Sequence, residues 1–200
     1  MRILVEELER PVAIQWEPRM TDDEYFQFCA NNSKLRVERT PEGDIVIMPP
    51  AGFESGHRNS ELIRQLGNWA INDGRGLACD SNTEYILPSG AAYAPDASWV
   101  LQSRLDKFTR DEKRKFLRLC PDFVIELMSL SDRLSKAKAK MREWMENGAQ
   151  LGWLLDPDRR TVHIYRPDRE PERLVNPERL AGEGPVAGFV LTLAGIWAEL

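Results

Sequence analysis

The chain has 200 residues, 42% of them apolar and 30% charged, a balance that excludes collagen-like, low-complexity and membrane-embedded classes and fits a globular protein of one domain. Its net charge of −5 argues against a wholly basic nucleic-acid binder. The charge is uneven: residues 101–150 hold 12 of the 27 Lys and Arg but 8 of the 32 Asp and Glu, leaving 15 against 24 elsewhere. A locally basic segment on an acidic chain is either a phosphate-facing surface or a pair of solvated helices.

At the N-terminus Glu6, Glu7 and Glu9 interrupt the place where a signal peptide needs an apolar run, and no stretch is apolar for long enough to span a bilayer, so the expected compartment is the cytoplasm. Residues 1–20 read as an extension, followed by one domain over 21–200. "TDDE" at Thr21–Glu24 is a capping box that opens a helix to about Asn31. "LRVERT" and "DIVIM" alternate around "PEG" as a β-hairpin. A helix is expected from about His57 to Asp73, with Leu62, Ile63, Leu66, Trp69 and Ala70 on one face and Gly74 ending it. Three short strands follow, "GLACD", "TEYIL" and "DASWVL". "TRDE" at Thr109–Glu112 is a second capping box, heading a short basic helix. Asp122 to Met128 forms an apolar strand, and Ser131 or Asp132 caps a helix that runs to about Asn147 and stops at Gly148. "LGWLLD" and "TVHIY" pair as a hairpin, "FVLTL" is a last strand, and a short helix closes the chain. The order suits an α/β class fold, a mixed sheet flanked by helices with an N-terminal helix and hairpin packed on it.

Cys29, Cys79 and Cys120 are odd in number and widely spaced, which gives neither a disulfide framework nor a zinc signature. His57 and His163 are too few for a histidine-rich metal site. The chemistry-bearing residue is Glu126, an acid inside the run Phe123–Met128. A buried carboxylate is costly unless something pairs with it or binds it. Asp96, directly after Pro95 and ahead of another apolar strand, is a companion if the two strands are neighbours. Two close carboxylates favour a shared proton or a bound cation, and Mg²⁺ takes one or two carboxylates while keeping waters. In the next helix Leu134, Ala137, Met141, Trp144 and Met145 form the buried stripe, with Lys138 and Lys140 at its opposite edges and Lys136 further out. An edge lysine can lay its stem on the core and deliver its ammonium to the acids. The plain reading of the same residues is a structural acid, turn aspartates and a solvated lysine face.

The run "LPSGAAYAPDASWV" to "CPDFVIELMSLSDRLSKAKAKMREWMENGAQLGWLLDP", with "LRVERTPEGDIVIMPP" and "GFVLTLAGIW", resembles the Uma-two family of endonucleases in the PD-(D/E)XK, restriction-endonuclease-like superfamily. That resemblance implies a restriction-endonuclease-like core. It makes Asp96 and Glu126 the metal-binding acids for Mg²⁺ or Mn²⁺, with a backbone carbonyl near Leu127 as an extra ligand. The superfamily places a lysine two residues after the second acid, where this chain has Met128. The resemblance puts the lysine instead on the following helix, at Lys140. Glu38 matches an acidic position of the hairpin, Trp144 stands where a tyrosine is common, and Glu61 falls off its helix's apolar stripe.

The expectation is therefore a metal-dependent endonuclease hydrolysing DNA phosphodiesters, with catalytic Asp96, Glu126 and Lys140. Lys136, Lys138 and the segment Arg104 to Arg118 would contact backbone phosphates, and a homodimer would suit cutting of a duplex. Two rivals stand beside it: an inactive module of the same fold that binds nucleic acid or protein, and a phosphodiesterase for RNA or small nucleotides.

Overall fold

The computed structural model describes residues 3, 10–130 and 132–199, so the acidic N-terminal residues Glu6, Glu7 and Glu9 and the Ser131 cap lie outside the described residues. After β1 (Val12–Ile14), both arms of the Thr21–Glu24 capping box are made, and α1 (Asp22–Asn31) follows. β2 (Arg36–Arg39) and β3 (Ile45–Met48) form the expected hairpin, with Val37 opposite Ile47. α2 (Phe53–Asp73) starts four residues before His57. No side chain from Phe53 to Gly56 is buried, so the first turn carries no apolar periodicity to read. It ends at Gly74, whose φ of 70° is the left-handed conformation glycine adopts without strain.

β4 (Gly76–Asp80), β5 (Tyr85–Ile86), β6 (Ala92–Tyr93) and β7 (Ala97–Leu101) follow, then a single turn of helix, α3 (Gln102–Leu105). The two-residue β6, inside "PSGAAYAP", is too short for alternation to reveal. The Thr109–Glu112 capping contacts are present, with the Thr109 N–H donating to Glu112 at 2.8 Å, but they head only a 3-10 turn, Glu112–Arg114. Lys113, Arg114 and Lys115 offer no apolar face to extend it. β8 (Phe123–Leu127) leads to α4 (Leu134–Glu146). Asp132 does not cap that helix. Its carboxylate accepts from the Ser129 N–H at 2.7 Å, and Arg133 takes the cap position without a side-chain bond. β9 (Leu151–Asp156), β10 (Thr161–Tyr165), β11 (Glu172–Val175), β12 (Arg179–Ala181), β13 (Val190–Thr192) and α5 (Ala194–Trp197) complete the chain.

A six-stranded sheet runs β11-β10-β9-β8-β7-β4, and a five-stranded one β1-β3-β2-β6-β5. All pairs in the larger sheet are antiparallel except β8 with β9, which are parallel because α4 carries the chain across between them. The N-terminal helix and hairpin join β5 and β6 in a layer with its own core of Tyr25, Phe28, Val37, Ile45 and Ile47. β8 is buried along its whole length because both faces of its sheet are covered. Phe123, Ile125 and Leu127 pack with Leu62, Leu66 and Ala70 of α2. Val124 and Met128 pack with Met141 and Trp144 of α4. Period two then places Glu126 on the α4 side. No helix among the described residues is long and apolar enough to cross a membrane.

Candidate active site

β7 and β8 are antiparallel neighbours with Ala97 opposite Ile125. One further step of that register brings Asp96, at the entry of β7, opposite Glu126, near the exit of β8. The Leu127 N–H donates to Asp96 Oδ2 at 2.8 Å, and Asn59 Nδ2 of α2 donates to Oδ1 at 3.1 Å. The Arg36 guanidinium stands 3.8 Å from the same Oδ1. On the other acid, Trp144 Nε1 donates to Glu126 Oε1 at 2.8 Å, and Lys140 Nζ lies 3.0 Å from Oε1 and 3.3 Å from Oε2. Lys140 and Trp144 sit one helical turn apart, so a single face of α4 supplies both donors. Lys140 Nζ also donates to Glu38 Oε1 at 2.8 Å and stands 5.3 Å from the centroid of the Tyr93 ring. Arg36 and Glu38 alternate on β2 and so reach the site from the second sheet.

Three buried carboxylates, Glu38, Asp96 and Glu126, thus face one largely buried ammonium and one half-exposed guanidinium. Burial pushes Glu126 up to about 7; Lys140 opposes the shift, while Asp96 and Glu38 add to it. Burial also raises Asp96, against Arg36, the Leu127 N–H, Lys140 and Asn59. Burial alone would lower Lys140, but Glu126 and Glu38 outweigh it and hold the ammonium above its ordinary range. Lys140 therefore stays a cation at any ordinary pH.

Asp96, Glu126, Glu38, Lys140 and Lys136 all line a cleft of about 1050 Å³, to which the segments Pro49 to Phe53 and Leu127 to Leu130 also contribute. Lys138, on the opposite edge of α4, lies outside that lining; its charge instead helps lower the His163 pKa, behind the larger effect of burial. The segment Arg104 to Arg118 also lies outside it. Arg104 pairs with Asp122 at 2.7 Å, Lys115 with Asp23 at 2.8 Å and Arg118 with Asp22 at 2.9 Å. Glu61 pairs with Arg64 at 2.6 Å, and His57 is exposed away from the acids. Sequence reasoning missed Asn59 and Arg36. Asn59 stands three residues before Leu62, a polar residue in line with the buried stripe of α2, and that was the available signal.

Among the described residues no group of three His, Cys, Asp or Glu side chains could by itself hold a metal ion. The donor set nevertheless suits a hard cation that binds through one or two carboxylates and keeps water. Asp96 and Glu126 are adjacent, desolvated and mutually repelling, and the excess of buried carboxylate over cation at the site is what a divalent ion would offset.

The mixed α/β fold, sheets flanked by helices, has a counterpart among solved structures. The chain is similar over 89% of its length to 97% of a solved chain from Anabaena variabilis ATCC 29413, described as "a putative nuclease belonging to DUF820", with a TM-score of 0.73 and 23% identity. The chain belongs to the Uma2 family, described as "Putative restriction endonuclease", whose profile matches residues 22–194. No curated protein matches it.

Proposed function

We propose that the protein is a Mg²⁺- or Mn²⁺-dependent endonuclease that hydrolyses phosphodiester bonds in DNA. The observation that carries this reading is the placement of the Lys140 ammonium 3.0 Å from Glu126, beside Asp96, inside a cleft large enough for a strand of nucleic acid. Asp96 and Glu126 hold the ion, which when bound supplies Lewis-acid activation of water and neutralises charge on the phosphate. Lys140, held charged by Glu126 and Glu38, cannot take a proton from water. It orients the nucleophile and offsets negative charge that develops in the transition state. Trp144 and Asn59 fix the two carboxylates in place, so each is held by a neutral donor as well as by its charged neighbours. The site draws on β2, α2, β7, β8 and α4, which supports reading residues 21–200 as one functional domain.

Supercoiled plasmid is the test substrate. Wild type nicks it with Mg²⁺ or Mn²⁺ and is silent in EDTA, whereas Asp96→Ala, Glu126→Ala and Lys140→Ala leave it intact. Equal nicking by the triple variant sinks the proposal. Met128, standing where the superfamily has lysine, favours the inactive-module reading; metal binding by calorimetry with no cleavage of any nucleic acid would decide for it.

A further inference from the structure

Phe53 is 85% exposed, Leu130 84% and Ile71 81%, the three most exposed large apolar residues among the described residues. The first two line the cleft that ends at Asp96 and Glu126, and Phe53 is the only aromatic residue among the large exposed apolar ones. Its exposure follows from the helix. Leu62 stands nine positions after Phe53, so the two point roughly 180° apart around α2, and Phe53 cannot turn onto the core that Leu62 fills. Pro49 and Pro50 restrict the backbone of the preceding loop, which holds the ring at the rim rather than letting it fold away.

The cleft lining is also cationic. Arg133 and Lys136 line the cleft near Leu130, both exposed, and neither has a carboxylate partner among the described residues. Arg36, 37% exposed, lines the same cleft and reaches to 3.8 Å from Asp96. An exposed aromatic ring, unpaired cations and a buried acid pair lining one cleft match single-stranded nucleic acid: phosphates track the cations while a base stacks on the ring, whatever its identity. A base inside a duplex offers no free face to Phe53.

We infer that Phe53 is a stacking subsite for an unpaired nucleobase next to the scissile phosphate, so that the substrate class is single-stranded, flapped or otherwise unpaired DNA. The inference rests on the nuclease reading and sharpens it. Leu130 adds a second exposed apolar surface to the same cleft, and Arg133 and Lys136 hold the flanking phosphates.

The test uses full-length Glu126→Gln protein, so that substrate is bound and not cut, and a short single strand carrying 2-aminopurine, with the matching duplex as comparison. Stacking on Phe53 changes the probe's fluorescence on binding. Phe53→Ala abolishes that change and weakens single-strand binding by about tenfold, Phe53→Trp retains both, and duplex binding stays as it was. Phe53→Ala protein that binds the strand and alters the probe like its parent overturns the subsite while leaving the nuclease reading intact. Failure of the parent to bind either strand or duplex overturns both. Equal melting temperatures for the Phe53 variants establish that the exposed side chain carries no fold stability.

Discussion

Replacing Glu126 with glutamine should stabilise the metal-free protein, by an amount that depends on pH. In the fold, burial beside Asp96 and Glu38 carries the Glu126 carboxyl from an ordinary 4.5 to about 7. The folded state therefore holds this proton more tightly than the unfolded chain does. Its contribution to stability is fully present below pH 4.5 and is lost as pH rises toward 7, after which it is flat. A gap of about 2.5 pH units at about 1.36 kcal/mol each makes the ionised carboxylate cost about 3 kcal/mol at pH 8. Glutamine mimics the protonated acid and still offers Trp144 an oxygen. For a chain of 200 residues that difference is about 6–12 °C in Tm. Thermal unfolding of wild type and Glu126→Gln in EDTA from pH 4.5 to 8.5 measures it. The two curves should converge at the acid end and separate toward pH 8; titrating groups that do not interact with Glu126, such as Glu84, which burial raises to about 8, cancel in the difference. Saturating Mg²⁺ should then close the gap by stabilising wild type alone. A separation that is constant across pH, or a glutamine variant less stable at pH 8, refutes the reasoning.

Trp144→Phe removes the 2.8 Å bond to Glu126 and leaves the ring volume largely in place, so it should lower plasmid nicking by about tenfold and destabilise the fold by ~1.5–3 kcal/mol. Denaturant melts and cleavage rates compared at one pH check both arms, and a change in stability without a change in rate would show that Trp144 only packs. Lys136→Ala and Arg133→Ala should weaken binding of any DNA sequence alike, each reducing the slope of log K against log salt by about 1; binding isotherms at several salt concentrations measure it, and an unchanged slope removes these side chains from the phosphate path.

Much of the site was legible because it violates local rules. An acid in the apolar run "FVIEL" and an aspartate between proline and another apolar strand both demand an explanation from the order of residues alone. What the residue order alone left open was which strands lie side by side, and with that which of two edge lysines reaches them; only the family resemblance singled out Lys140. Lys138 and Lys140 are equivalent edge residues on a helical wheel. The fold separates them: Lys140 Nζ lies 3.3 Å from Glu126 Oε2, while Lys138 stands outside the cleft lining. Asn59 and Arg36 approach Asp96 from α2 and from a different sheet, across 37 and 60 positions of chain that no local pattern spans. The overestimated helix after Thr109 shows the converse: the cap chemistry was correct, but a cap cannot sustain a helix without an apolar face to bury. Edge strands such as β11, mostly exposed, carry no alternation at all.

The division of β8 between two helices has a consequence for how such a protein can change over time. Phe123, Ile125 and Leu127 answer to α2, while Glu126 answers to α4 through Lys140 and Trp144. Substitutions at Phe123 or Ile125 can retune heat tolerance without replacing a polar atom of the acid cluster, but drift of α2 is bounded, because Asn59 on that helix and the Leu127 N–H both hold Asp96. The strand works as a leaky partition: its α2 side answers mainly to selection on robustness, its α4 side to selection on chemistry, and the bonds to Asp96 are where the two meet.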